Sequence, residues 1–202
     1  MIVIGITGGL ASGKSTVSNI FQTQYSAYIF DADFEAKLLL NNNQISKQIL
    51  STFPDLHDVK PTSLSKIVFK NENSQKKLNK IIHPALNKVL KKRIDEVGES
   101  KKYSFFIVDA ALIIEGGSYK YYHDSGAYIL LITSLESIRI DRALLRGNLS
   151  EESIKERIDL QWKDDIKKEY ADYILENNST INDLESSIKF LIKEIKENAK
   201  FN

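Results

Sequence analysis

The chain has 202 residues, 42% of them hydrophobic, which is enough to bury a core in one domain or in one core domain carrying insertions. Its 28 Lys and Arg nearly balance 27 Asp and Glu, so no global field draws it to nucleic acid or to an anionic membrane, and any anion site must be built locally. Without cysteine, disulfides, thiolate catalysis and thiolate metal sites are excluded.

The first apolar run, "IVIGI" at 2 to 6, reads as a buried strand. Gly5, Gly8 and Gly9 interrupt it well short of the length of a secretory or spanning segment. It leads into "GITGGLASGKST" at 5 to 16, in which Gly8, four intervening residues and then Gly13-Lys14-Ser15 form a P-loop pattern. The pattern follows a strand and opens a helix, where its mechanism needs it. Backbone N–H groups of such a loop point at phosphate oxygens, and the helix adds its positive end. The expected nucleotide-binding stretch is therefore Gly8, Gly9, Leu10, Ala11, Ser12, Gly13, Lys14, Ser15 and Thr16. Lys14 would reach the β- and γ-phosphates, and the Ser15 hydroxyl would bind Mg²⁺. The guanine-reading Asn-Lys-x-Asp pattern is not completed at "NKII" or "NKVL", which argues against a GTP switch.

The second strand, "AYIF" at 27 to 30, runs into "FDADF". Asp31 and Asp33 thus stand at its carboxyl end, beside the phosphate loop if the first two strands are neighbours. Side chains two apart in one extended segment need not share a role. One carboxylate could serve the metal and the other receive a hydroxyl proton, as a kinase base must. Helix capping by Asp33 is the competing account.

Roughly 70 residues then separate the second strand from the third, more than one crossover helix requires. An inserted unit is expected over 34–103, with helices near 34 to 40, 44 to 52, 62 to 69 and 74 to 97, punctuated by Pro54, Pro61 and Pro84. His83 precedes Pro84 near the start of a helical pattern, where Pro at the first helical position is ordinary grammar.

"FFIVDA" at 105 to 110 reads as the third strand, with Asp109 at its end as a candidate near Mg²⁺ or a carboxylate satisfied by backbone donors. "AYILLIT" at 127 to 133 and "ADYIL" at 171 to 175 read as the fourth and fifth strands. Between them, 134–169 is charged, helix-prone and lid-like. In it Arg142 and Arg146 lie one helical turn apart, able to form a cationic fork or to line a solvated face, and Arg139 ranks below them. The end, "INDLESSIKFLIKEIKENAK", is an amphipathic helix with Asn182 or Asp183 as its expected cap. Strands alternating with helices predict an α/β fold: a parallel P-loop NTPase-type sheet covered by helices. The expected core comprises 1–33, 104–133 and 170–202.

The set "ITGGLASGKST", "FDADF", His83-Pro84, "DAALIIE", "RALLRGNLSEE", Gln161 and "ADYILEN", in that order and spacing, resembles the dephospho-coenzyme A kinase family. The resemblance implies ATP-dependent phosphorylation of the 3′-hydroxyl of dephospho-coenzyme A, with ATP and Mg²⁺, while the absent cysteine and balanced charge predict a cytoplasmic protein without nucleic-acid or membrane partners. It implies Asp33 as the base on the ribose hydroxyl, with Asp31 as its acidic neighbour and a possible metal ligand. It also implies His83 and Pro84 in the acceptor-binding unit, Arg142 and Arg146 as lid arginines, and Asn177 in a loop beside the adenine. Ala111 stands where the family usually has proline, which weakens transfer of any role to Glu115.

Overall fold

The computed structural model describes residues 1–68 and 72–199. The expectations that touch residue 69 and Lys200 fall outside these. In chain order the elements are β1 (Ile2–Gly8), α1 (Lys14–Gln24), β2 (Ala27–Asp31), α2 (Ala32–Leu39), α3 (Asn43–Thr52), α4 (Pro61–Val68) and α5 (Glu72–Glu99). There follow β3 (Phe105–Asp109), α6 (Tyr119–Asp124), β4 (Tyr128–Thr133), α7 (Glu136–Leu145), α8 (Glu151–Asp159), α9 (Asp164–Lys168), β5 (Tyr173–Glu176) and α10 (Ile181–Asn198).

The five apolar runs all form strands of one sheet, in the order β2-β3-β1-β4-β5. β1 pairs in parallel with β3 and β4, and β4 with β5. Parallel strands are buried on both faces, which is why these segments read as unbroken Ile, Val, Leu and Phe. Ile4, Ile6, Phe105, Ile107, Leu130 and Ile132 are sealed under α1 and α10, whose Val17, Phe21, Ile188 and Ile195 complete the core. Each such side chain contributes about 1.5–3 kcal/mol on burial. The order corrects one condition set above: β3 lies between β1 and β2, so Asp109, paired in register with Ile6, is the strand-end carboxylate adjacent to the phosphate loop's strand.

The chain divides into two compact units, residues 1–30 with 101–202, and residues 31–100. The second consists of α2 to α5 around Ile45, Ile49, Phe53, Leu56, Leu64 and Ile82. Pro61 opens α4 as its first residue, but Pro84 does not punctuate: α5 runs through it from Glu72 to Glu99. Proline inside a helix deletes one i→i−4 hydrogen bond, and here the long helix on either side, with Ile82 and Leu90 buried, outweighs that loss. The cap of α10 is likewise not Asn182 or Asp183 but Thr180, in a capping box with Asp183. A hydroxyl three residues before a carboxylate lets each satisfy the other's backbone N–H.

Candidate active site

β1 ends at Gly8 and α1 begins at Lys14, so Gly9 to Gly13 make the turn. Ser12 N–H donates to Gly9 O at 3.1 Å, and the N–H groups of Thr16 and Val17 donate to Gly13 O at 3.0 and 3.1 Å. Ala11 has φ 57° and Gly13 φ 103°. Left-handed residues alternating in a turn bring successive N–H groups to one concave side, a nest for anions. For alanine that conformation costs roughly 1 kcal/mol or more, strain held in place by the surrounding contacts. Lys14 Nζ folds back over the loop to donate to Gly8 O at 3.0 Å.

The loop is braced from the far end of the sheet. Asn177 follows β5, and its Nδ2 donates to Ser12 O at 2.9 Å while its Oδ1 accepts from Arg142 Nη2 at 3.3 Å. A Cβ on Gly13 would run into that Asn177 amide, so the position admits only glycine. Arg142 also donates to Ser134 Oγ at 3.3 Å, and Ser134 Oγ donates to Asn177 O at 2.9 Å. Ala11, Gly13, Thr16, Arg142, Arg146 and Asn177 share the lining of a cavity of about 350 Å³ with Ile181 and Leu184. Arg142 of α7 and Arg146 at its C-cap therefore meet the phosphate loop on one face, as their helical spacing allows. Asn177, expected at a base-binding loop, is itself a brace of the phosphate loop.

Asp109 Oδ2 accepts from Ser18 Oγ at 2.8 Å. Ser18 is one helical turn beyond Ser15 on α1, so Ser15 and Asp109 bound one side of the loop's helix. A hydroxyl and a carboxylate suit a hard cation that takes its remaining ligands from phosphates and water. The donor set thus fits Mg²⁺ accompanying a nucleotide.

The other expected site residues belong to the unit of residues 31–100. Asp31 caps α2, its Oδ1 accepting from Phe34 N–H at 2.8 Å, so the capping weighed for Asp33 falls to Asp31. Asp33 is exposed in the first turn of α2. His83 is half-buried in α5 next to the exposed Pro84, and desolvation pushes its imidazole pKa below the ordinary value.

Two residues rated low or left unassigned in the sequence prove central to the loop. Arg139 is 7% exposed, with its Nε donating to Leu10 O at 2.9 Å. Gln161 Oε1 accepts from Leu10 N–H at 2.8 Å. Arg139 had a detectable signal, its i,i+3 spacing to Arg142. Glu115 has a partner the sequence did not announce: Lys167 Nζ lies 2.7 Å away, with side-chain exposures of 0% for lysine and 8% for glutamate. Trp162 packs against Tyr170 at 5.9 Å, and Tyr122 is buried core.

A family model described as dephospho-CoA kinase matches residues 2–183. A dephospho-CoA kinase of Bacillus licheniformis is 32% identical over 197 residues, 95% of each chain. Among solved structures, TT1252 from Thermus thermophilus superposes with a TM-score of 0.77 at 26% identity, covering 96% of this chain and 97% of that one. Dephospho-CoA kinase from Campylobacter jejuni superposes with a TM-score of 0.61 at 25% identity, covering 98% of both. The loop, its braces and these matches agree, and the chain belongs to the dephospho-CoA kinase family.

Proposed function

We propose that the chain transfers the γ-phosphoryl group of ATP to the 3′-hydroxyl of dephospho-CoA, giving CoA and ADP in the last step of CoA biosynthesis. The observation that carries this reading is the strained, braced loop after β1, which shares one cavity with Arg142 and Arg146, in a chain of this family. The ribose 3′-oxygen attacks the γ-phosphorus in line, the bond from that phosphorus to the β–γ bridging oxygen breaks, and the hydroxyl proton passes to the Asp33 carboxylate. Lys14 swings from Gly8 O to the β- and γ-oxygens. Arg142 and Arg146 offset the charge spread over the transferring group.

Ser15, with Asp109 held by Ser18, would hold Mg²⁺ accompanying ATP, which would supply positive charge against the phosphates. Asp31 fixes the start of α2 and so orients Asp33 two residues on. His83 and Pro84 belong to the acceptor side in this reading. No helix among the described residues is long and apolar enough to cross a membrane. The near-balanced charge and absent cysteine fit a cytoplasmic enzyme of small molecules without a nucleic-acid partner.

The test is ADP release with Mg²⁺-ATP in the presence and absence of dephospho-CoA, with AMP and shikimate as control acceptors. Strong stimulation by dephospho-CoA alone is expected. Equal slow release in every reaction would reject the acceptor.

A further inference from the structure

We infer that Arg139 and Gln161 are positioning residues for phosphoryl transfer, gripping both peptide groups of Leu10 and so setting the shape of the phosphate nest from the α7–α8 segment. The inference rests on the reading that a nucleotide occupies the loop after β1.

Leu10 N–H donates to Gln161 Oε1 at 2.8 Å, Leu10 C=O accepts from Arg139 Nε at 2.9 Å, and Arg139 Nη2 stands 3.3 Å from the same Gln161 oxygen. The three groups close a ring around one residue of the loop. The Gly9–Leu10 peptide is held through its N–H by Gln161 and the Leu10–Ala11 peptide through its carbonyl by Arg139, so the planes on both sides of the Leu10 Cα are fixed. The next residue is Ala11, at φ 57°, so the clamp helps hold the strained turn of the nest. Arg139 lies so close over the loop that a Cβ on Gly9 would collide with its guanidinium.

The side chain of Leu10 is fastened to the same segment. With Ala11 it packs among Ala143 of α7, Ile154 and Ile158 of α8, and Ile140. Polar and apolar contacts therefore tie Leu10 to α7 and α8 at once, and any shift of those helices moves the Leu10 peptide. The hydrogen-bond partners of Arg139, Leu10 O and Gln161 Oε1, are neutral, so its guanidinium adds positive charge beside a loop built for anions. α7 and its C-cap thus serve the loop with three arginines: Arg142 and the capping Arg146 on the cavity, and Arg139 on the loop's backbone.

The experiment uses the full chain and three variants: Gln161→Met, which keeps side-chain length and loses the acceptor; Arg139→Lys, which keeps the charge and loses the fork; and the double variant. Each single change is expected to lower kcat about tenfold and weaken ADP binding by calorimetry severalfold, with KM for dephospho-CoA unchanged. Because both side chains act on one residue and meet each other, the double variant is expected to be no worse than the poorer single. In the wild-type protein the Leu10 amide is expected to be protected from hydrogen exchange, a measurement that needs no variant to fold.

Wild-type kcat and ADP affinity in Gln161→Met, losses that follow only the unfolded fraction, multiplying effects in the double variant, or a fast-exchanging Leu10 amide would each overturn the inference. Failure of the wild-type protein to bind ADP would overturn the nucleotide reading, and this inference with it. ADP binding by the wild type with unaffected variants would remove the clamp alone.

Discussion

The phosphate loop and the helical unit of residues 31–100 are held in opposite ways. At the loop, Leu10 meets Arg139 and Gln161 across 129 and 151 residues of sequence, and Ser12 meets Asn177 across 165. In the helical unit, Asp31 caps Phe34, Asn42 caps Gln44 and Ile45, and Asp58 accepts from Lys60, all within three residues. Local caps start helices, as Asp31 fixes the first turn of α2 in which Asp33 stands. Nonlocal bonds fix a backbone against several elements at once. A strained anion nest requires the second kind of support, because its own residues do not favour the conformation.

That contrast can be broken most severely at the buried pair Lys167–Glu115, part of the nonlocal scaffold. Lys167→Met leaves a buried carboxylate uncompensated and is expected to cost about 3–5 kcal/mol in urea denaturation, most of it recovered in Lys167→Met/Glu115→Leu. By comparison, Arg93 in the helical unit meets Glu35 at 4.0 Å and Glu96 at 3.4 Å, with side-chain exposures of 36% for arginine and 19% and 51% for the glutamates, so Arg93→Met should cost no more than about 1 kcal/mol. Equal losses from the two lysine and arginine variants would contradict the contrast.

Asp33→Asn tests the chemistry assigned to the helical unit. Turnover is expected to fall about 10²-fold or more while ATP binding persists, since a positioned base contributes that order. Wild-type turnover would take the base role from Asp33.

The smallest effect belongs to His83. Because burial holds its folded pKa below that of the unfolded chain, the unfolded state binds the proton more readily. The stabilisation is present above pH ~6.5 and is lost as pH falls below it. Tm of the wild type should therefore drop between pH 7.5 and 5.5 by slightly more than that of His83→Gln. Identical profiles would contradict it.

The sheet was legible because parallel strands leave uninterrupted Ile, Val and Phe runs, and the loop because glycine, lysine and serine fall at fixed local spacing. The signal for the α10 cap was also present, in Thr180 and Asp183 three apart. Asn182 and Asp183, the expected caps, fall inside the first turn instead. Pro84 misled because a proline's usual boundary role yielded to burial on both sides of it. The neighbour of β1 could not be read, since strand order is a tertiary choice: Asp109, not Asp31, borders the loop's strand. Nor could Gln161 or Lys167 be paired with their partners, because nothing local in either segment records a contact more than 50 residues away.

The most direct measurement is the site of phosphorylation in the product. Purified protein would be incubated with Mg²⁺-ATP and dephospho-CoA, and the product resolved by phosphorus and proton NMR. The account predicts a single new phosphomonoester on the ribose 3′-oxygen, in one-to-one yield with ADP. Inorganic phosphate in place of that ester, or an ester on another oxygen, would contradict it.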